Sequence, residues 1–202
     1  MKISLQNLGK RFNRDWIFRH FNFEFQGTGA YAITGSNGSG KSTLLQIIAG
    51  ALTHSEGEVQ YSGINNFNNK NLYQHIAIAT PYLELIEEMT ALEFLHFHSR
   101  FKQLSHSTDE VLTAVELQDA AQKQIRYFSS GMKQRLRLAQ AFFSVSDILL
   151  LDEPTTNLDR DGVEMFHQLI EQQKGTRMLI ISSNVPEEYA VCNDILKMQY
   201  FK

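Results

Sequence analysis

The chain has 202 residues, 43% of them hydrophobic and 20% charged, enough for one domain of ordinary size with a sizeable core. Its 19 Lys and Arg against 22 Asp and Glu leave a formal net charge of −3, so no global positive field recruits a nucleic acid and no such partner is expected. The single cysteine, Cys192, excludes an intramolecular disulfide, the N-terminus lacks the apolar stretch of a secretion signal, and no apolar run approaches the roughly 18 residues that span a membrane. A cytoplasmic protein is expected, reaching a membrane only through a recruiting partner.

In chain order, Ile3, Leu5 and Leu8 give a weak strand signal over residues 2–8, read as a sheet edge, and Phe21, Phe23 and Phe25 alternate as a strand covering a core. Phe12 and Trp16 lie between them in a polar, turn-rich segment; either ring could stack on a base or fold back as local packing. The short apolar run Ala30–Thr34 is followed by Gly35-Ser36-Asn37-Gly38-Ser39-Gly40-Lys41-Ser42 and then by a helix-like run from Thr43 that ends at Gly50. This matches G-x-x-x-x-G-K-[ST] at every fixed position and in the right setting, strand before and helix after. Glycines let the backbone curl so that successive N–H groups face phosphate oxygens, and the helix start adds its positive end. Lys41 is then expected to reach the β- and γ-phosphates of ATP or GTP, and the Ser42 hydroxyl to ligand Mg²⁺.

Short strands are expected over residues 56–61 and 75–79, with an Asn-rich loop from Ile64 to Asn71 between them. Thr90-x-x-Glu93 and Ser107-x-x-Glu110 are capping boxes opening two helices, and a third helix near Met132 sets Met132, Leu136, Ala139 and Phe143 on one stripe, with Lys133, Arg135 and Arg137 largely off it. Residues 83–138 therefore read as an all-helical arm inserted in a single α/β domain spanning 1–202. Ile148–Leu151 is a continuous apolar run ending in Asp152-Glu153, as in a central parallel strand whose C-terminal end carries chemistry. A helix over 160–173, a strand over 178–181 ending in Ser182-Ser183-Asn184, a short helix after Pro186 and a final strand near 194–198 complete the pattern. Asp152 is expected to anchor the metal through bound water, and Glu153 to orient or deprotonate the attacking water.

These pieces together resemble the ATP-binding cassette family of ATPases over the whole chain. The resemblance rests on the phosphate loop 35–42, the signature-like Phe128-Ser129-Ser130-Gly131-Met132, the strand 148–152 with Glu153, the stretch Thr156–Asp159 and the intervening helical arm. It implies a P-loop fold with a central, mainly parallel sheet, an N-terminal antiparallel sheet and an inserted helical subdomain. It also implies head-to-tail pairing of two cassettes, with ATP between the phosphate loop of one and Ser129 and Gly131 of the other. Phe12 matches the family's adenine-stacking aromatic, with Trp16 as second candidate, and Asp159 would lie at the dimer seam.

Three positions depart from the family pattern. Where a glutamine contacts the metal and water, the chain reads Thr80-Pro81-Tyr82, and Glu84 is the nearest side chain of comparable reach. Where a histidine contacts the γ-phosphate stands Asn184, which can donate a hydrogen bond but cannot take a proton. Met132 replaces the glutamine of the signature. The resemblance implies an ATP-hydrolysing subunit of a transporter, docked on its membrane partner near residues 80–90, where Tyr82, Leu83, Leu85, Ile86 and Met89 form an apolar face or a buried hinge. The departures keep open a rival, an ATP-dependent dimerising regulatory or assembly cassette with little hydrolysis.

Overall fold

The protein is described by a computed structural model over residues 1–68 and 70–201; Asn69, in the expected Asn-rich loop, lies outside the described residues. Strands β1 (Lys2–Phe12) and β2 (Asp15–Gln26) form a long hairpin, followed by β3 (Ala30–Thr34), α1 (Lys41–Ile48), β4 (Glu56–Ser62), α2 (Leu72–His75) and β5 (Ile76–Ala79). Helices α3 (Ala91–Ser99), α4 (Thr108–Ala114) and α5 (Ser130–Phe142) precede β6 (Ile148–Asp152), α6 (Arg160–Gln173), β7 (Met178–Ser182) and β8 (Asp194–Lys197).

The first sheet is antiparallel in the order β2-β1-β4, so β1 is its centre and not the edge that its weak alternation suggested. Register shifts between Leu5 and Leu8 and between Leu8 and Lys10 blur the two-residue period and explain the weak signal. Phe12 and Trp16 belong to the hairpin strands themselves, Arg11 opposite Trp16 and Phe12 opposite Asp15, around a turn in which Asn13 takes φ 54°.

The second sheet is parallel throughout, in the order β5-β6-β7-β3-β8. Every residue of β6 and β7 is buried, because both faces of the sheet are covered, and their sequences are accordingly continuous apolar runs. The pleat divides them between two cores. Ala77, Ala79, Leu149, Leu151, Leu179 and Ile181 join the side chains of α3 to α6, whereas Ile76, Ile148, Leu150, Met178 and Ile180 join α1 and the Phe21 and Phe25 face of the hairpin. Each fully buried large side chain stabilises the fold by about 1.5–3 kcal/mol. Since β3, β6 and β7 are adjacent and parallel, the segments that leave their C-terminal ends emerge side by side at one rim.

Both capping boxes form: Thr90 accepts from Glu93 N–H and Ser107 from Glu110 N–H, with the reciprocal glutamate bonds in place. Residues 83–90 are not helical; their backbone groups bond outward, Leu83 C=O to Arg137, Glu87 C=O to Arg126 N–H and Met89 C=O to Ile125 N–H. Helix α5 starts two residues before the expected Met132, because the Ser129 hydroxyl caps it by accepting from Met132 N–H. Arg135, expected off the apolar stripe, is buried with its guanidinium between Glu116 (2.5 Å) and Asp159 (2.9 Å).

Against the open edge of β5, the Lys102 ammonium donates to the Ile76 carbonyl. Nearby, the Ser144 hydroxyl donates to Gln140 C=O at 2.5 Å and therefore accepts from His98 Nε2–H at 2.8 Å, which places the proton of the neutral ring on Nε2. Burial, and secondarily the Lys102 charge, lower the His98 pKa from 6.5 to about 4. Between those values the unfolded chain binds more protons than the folded one, so stability is intact above pH 6.5 and falls as the pH drops toward 4. We expect the wild type to lose more stability than His98→Gln between pH 7 and 4.5, by on the order of 2 kcal/mol for this part-exposed ring, in parallel thermal melts. Equal losses would remove His98 as the acid-labile group.

Candidate functional site

The loop from β3 to α1 is shaped by three glycines in conformations that L-residues avoid, Gly35 at φ 149°, Gly38 at φ 76° and Gly40 at φ 98°. Gly40 is the N-cap of α1 and supplies no side-chain cap, so the first N–H groups of the helix keep their donors for an anion. Lys41 is buried, and its ammonium lies 2.8 Å from the Gly35 carbonyl, folded back over the loop it follows. Ser39 Oγ is buried and has no hydrogen-bond partner. These groups border an open cleft of 390 Å³ whose wall also includes Ile17, Ser42, Thr43, Tyr82 and Glu153. A buried hydroxyl without a partner, a lysine at the loop and free helix-start donors are the set that a polyphosphate satisfies.

From β6, Asp152 is buried and accepts from the Ser182 hydroxyl of β7 at 2.7 Å, its cross-strand partner. Glu153 follows in the left-handed region, φ 43°, with its N–H bonded to Ser182 C=O at 2.8 Å. A non-glycine residue there costs about 1–2 kcal/mol, and the conformation turns the Glu153 side chain into the cleft while Asp152 stays in the sheet. From β7, Asn184 reaches the phosphate loop: its Oδ1 accepts from Gly35 N–H at 3.1 Å and its Nδ2 donates to Asn37 Oδ1 at 3.4 Å.

A family profile described as ABC transporter matches residues 18–156, more than half of the chain. The chain belongs to the ABC transporter family. It is 30% identical over 202 residues to the uncharacterized ABC transporter ATP-binding protein YybJ of Bacillus subtilis (strain 168), covering 98% of this chain and 93% of that one. It is also 30% identical to the bacitracin transport ATP-binding protein BcrA of Bacillus licheniformis, over 92% of this chain and 62% of that protein. Its fold superposes on the dimeric ATP-binding cassette MJ0796 bound to ADP and Pi with a TM-score of 0.84, at 24% identity and covering 96% and 93% of the two chains. No helix among the described residues of this cassette is long and apolar enough to cross a membrane.

The cassette gathers Lys41, Ser42, Thr43 and Glu153 on one cleft and attaches Asn184 to its loop. Ser129 and Gly131 lie elsewhere, at the N-terminal end of α5, where a Cβ on Gly131 would stand 3.0 Å from the Asn157 carbonyl. Asp159 caps α6 by accepting from Gly162 N–H at 2.9 Å; that bond, then the Arg135 guanidinium, hold its carboxyl below the usual carboxylate range. Phe12 is half-exposed and does not line the cleft; the Lys10 ammonium sits 4.7 Å from its ring centre, and Arg19 lies 4.1 Å from that of Trp16. At that end the cleft wall is Ile17, whose Cγ2 would be 2.6 Å from a Cβ on Gly40.

Ile17 carried no sequence signal, because an isoleucine in a strand is ordinarily core. Tyr82, the last residue of the stretch Thr80–Tyr82 that the resemblance aligns with the family's glutamine, lines the cleft and is 83% exposed. Glu84, expected to have that reach, instead lines a neighbouring groove of 430 Å³ with Glu87, Lys133 and Arg137, which Tyr82 also borders. A turn centred on Pro81 and Tyr82 is closed by Leu83 N–H to Thr80 C=O, and beyond it Glu84 borders the groove and not the cleft. For the loop itself, Gly40→Ala combines a left-handed φ with a clash against Ile17, whereas at Gly38 a Cβ meets open space. Gly40→Ala is expected to cost about 1–3 kcal/mol and to abolish ATP-induced stabilisation in thermal melts, with Gly38→Ala the milder of the two; the reverse order would contradict the loop geometry.

Proposed function

We propose that this cassette binds Mg-ATP and hydrolyses it to ADP and phosphate as the cytoplasmic nucleotide-binding subunit of a transporter, peripheral on the membrane, two copies enclosing the nucleotide. The observation that carries this reading is the convergence of the phosphate loop, with its unpartnered Ser39 hydroxyl, and Glu153 on one cleft. The donors from Gly35 to Thr43 would hold the phosphates, Lys41 leaving the Gly35 carbonyl for phosphate oxygens. Mg²⁺, held by Ser42 and through water by Asp152, would supply charge neutralisation between the phosphates. Glu153 would orient the water that attacks the γ-phosphate and accept its proton as the bond from the γ-phosphorus to the departing ADP oxygen breaks. Asn184 would offer its amide N–H to the γ-phosphate, and the adenine would stack on Phe12 or Trp16.

The half-site outside the cleft supports pairing. Ser129, Gly131 and the start of α5 are suited to an anion but do not line the cleft of their own phosphate loop, so a second copy would present them to it. Near residues 80–90 the apolar surface offered to a membrane partner is Tyr82 and Ile86, since Leu85 is buried in the core. One observation favours the rival reading, a dimerising regulatory or assembly cassette with little turnover: Asn184, in the histidine position, already spends both ends of its amide on Gly35 and Asn37.

Steady-state phosphate release is expected to fall at least about 100-fold in Glu153→Gln while ATP binding persists; wild-type turnover in that variant would sink the proposed role. Asn184→Ala is expected to weaken ATP several-fold more than ADP by titration calorimetry, and equal losses would reduce Asn184 to a brace of the loop.

A further inference from the structure

Glu188 is a buried carboxylate, 3% exposed, that takes no part in the cleft. It sits on the 3₁₀ turn Pro186–Tyr189 that follows β7. Its Oε1 accepts from Thr155 N–H at 2.8 Å and from the Thr155 hydroxyl, while Oε2 is buried with no partner. Burying a carboxylate with one oxygen unsatisfied is costly, and an apolar side chain would fill the same space without that cost. The grip on Thr155 is what the acid contributes.

Thr155 lies two residues beyond Glu153, in a turn closed by Thr156 N–H to Glu153 C=O at 3.1 Å. That turn holds left-handed residues at both ends, Glu153 at φ 43° and Asn157 at φ 66°, so it relaxes unless held from outside. It is held at three points: Ser182 C=O takes Glu153 N–H, Gln134 Nε2 donates to Pro154 C=O at 2.8 Å, and Glu188 takes both donors of Thr155. The segment after β7 thus touches the phosphate loop at one end, through Asn184, and the turn bearing Glu153 at the other, through Glu188.

We propose that Glu188 is a positioning residue for Glu153, fixing the turn 153–157 so that the Glu153 carboxylate stays aimed into the cleft beside Lys41 and Ser42. This rests on the reading of Glu153 as the group that handles the attacking water. A displacement of about 1 Å at such a group costs up to about 100-fold in rate. Glu188 acts on kcat through geometry and leaves nucleotide binding, which belongs to the loop from Gly35 to Thr43, untouched.

The test measures kcat, KM for Mg-ATP and thermal stability in the full chain for Glu188→Ala, Glu188→Gln, Thr155→Val and Glu153→Gln. Glu188→Ala is expected to lower kcat about 10- to 100-fold with KM within about twofold. Glu188→Gln keeps an oxygen able to accept both Thr155 bonds and retains most of the rate. Thr155→Val, which removes only the hydroxyl bond, gives a smaller fall in kcat and decides the matter if Glu188→Ala does not fold. Adding Glu188→Ala to Glu153→Gln causes no further loss, as for residues acting in one unit. A folded Glu188→Ala with undiminished kcat, or Glu188→Gln as slow as Glu188→Ala, overturns the role of Glu188 alone, provided that Glu153→Gln is inactive. Full turnover in Glu153→Gln overturns the reading of Glu153 and the role of Glu188 with it.

Discussion

The parallel alignment of β6, β7 and β3 is the constraint on which the rest of the site depends. Backbone pairing places Asp152 opposite Ser182 and Ile33 opposite Ser182 in the two ladders that share β7. The segments that leave β6 and β3 therefore each start one strand spacing, about 5 Å, from the segment that leaves β7, and about 10 Å from each other. One supplies the phosphate loop, one Glu153 and one Asn184. No long-range electrostatic attraction is needed to assemble them; hydrogen bonding of the sheet and burial of both its faces do so.

Within that frame the phosphate loop is anchored at its start, while its Ser39 hydroxyl stays without a partner. The Gly35 peptide is held at both ends, its N–H by Asn184 and its carbonyl by Lys41. Such contacts keep a glycine-rich segment ordered despite the conformational freedom of its residues. Both are also contacts that a phosphate can replace, since an ammonium bound to a carbonyl exchanges a neutral acceptor for a charged and stronger one. The helical elements reach the same rim by a different route. Gln134 of α5 touches the turn after Glu153, and Arg135 of α5 ties Asp159 to Glu116, so the helix whose start carries Ser129 is packed against the acidic side of the site.

Much of this was legible in the residues. The apolar runs over β6 and β7, the two capping boxes and the glycine spacing of the phosphate loop are local signals, set by periodicity and backbone chemistry within a few residues. Features that failed to show have non-local causes. The central place of β1 was hidden by its bulges and depends on two partners distant in the chain. Arg135 reads as a surface cation by helical position, and only the acids of two other segments make its burial tolerable. That Tyr82 lines the cleft while Glu84 borders only the neighbouring groove is decided by the fold of a loop, for which no pattern exists.

The sequence by itself determined the chemistry on offer: a glycine-rich anion loop, an acidic pair closing a buried strand, a serine-glycine helix start, and an alternation of strands and helices that admits a parallel sheet. These follow from residue type and short spacing, which act through local sterics and hydrogen bonding. The tertiary structure decided which of them meet. It set Glu153 in the cleft and Asp152 in the sheet, Ile17 and not Phe12 against the loop, and Glu188 beneath Thr155. Those outcomes depend on the register and order of strands far apart in the chain, where the free energy comes from burying whole faces and no single residue carries the signal.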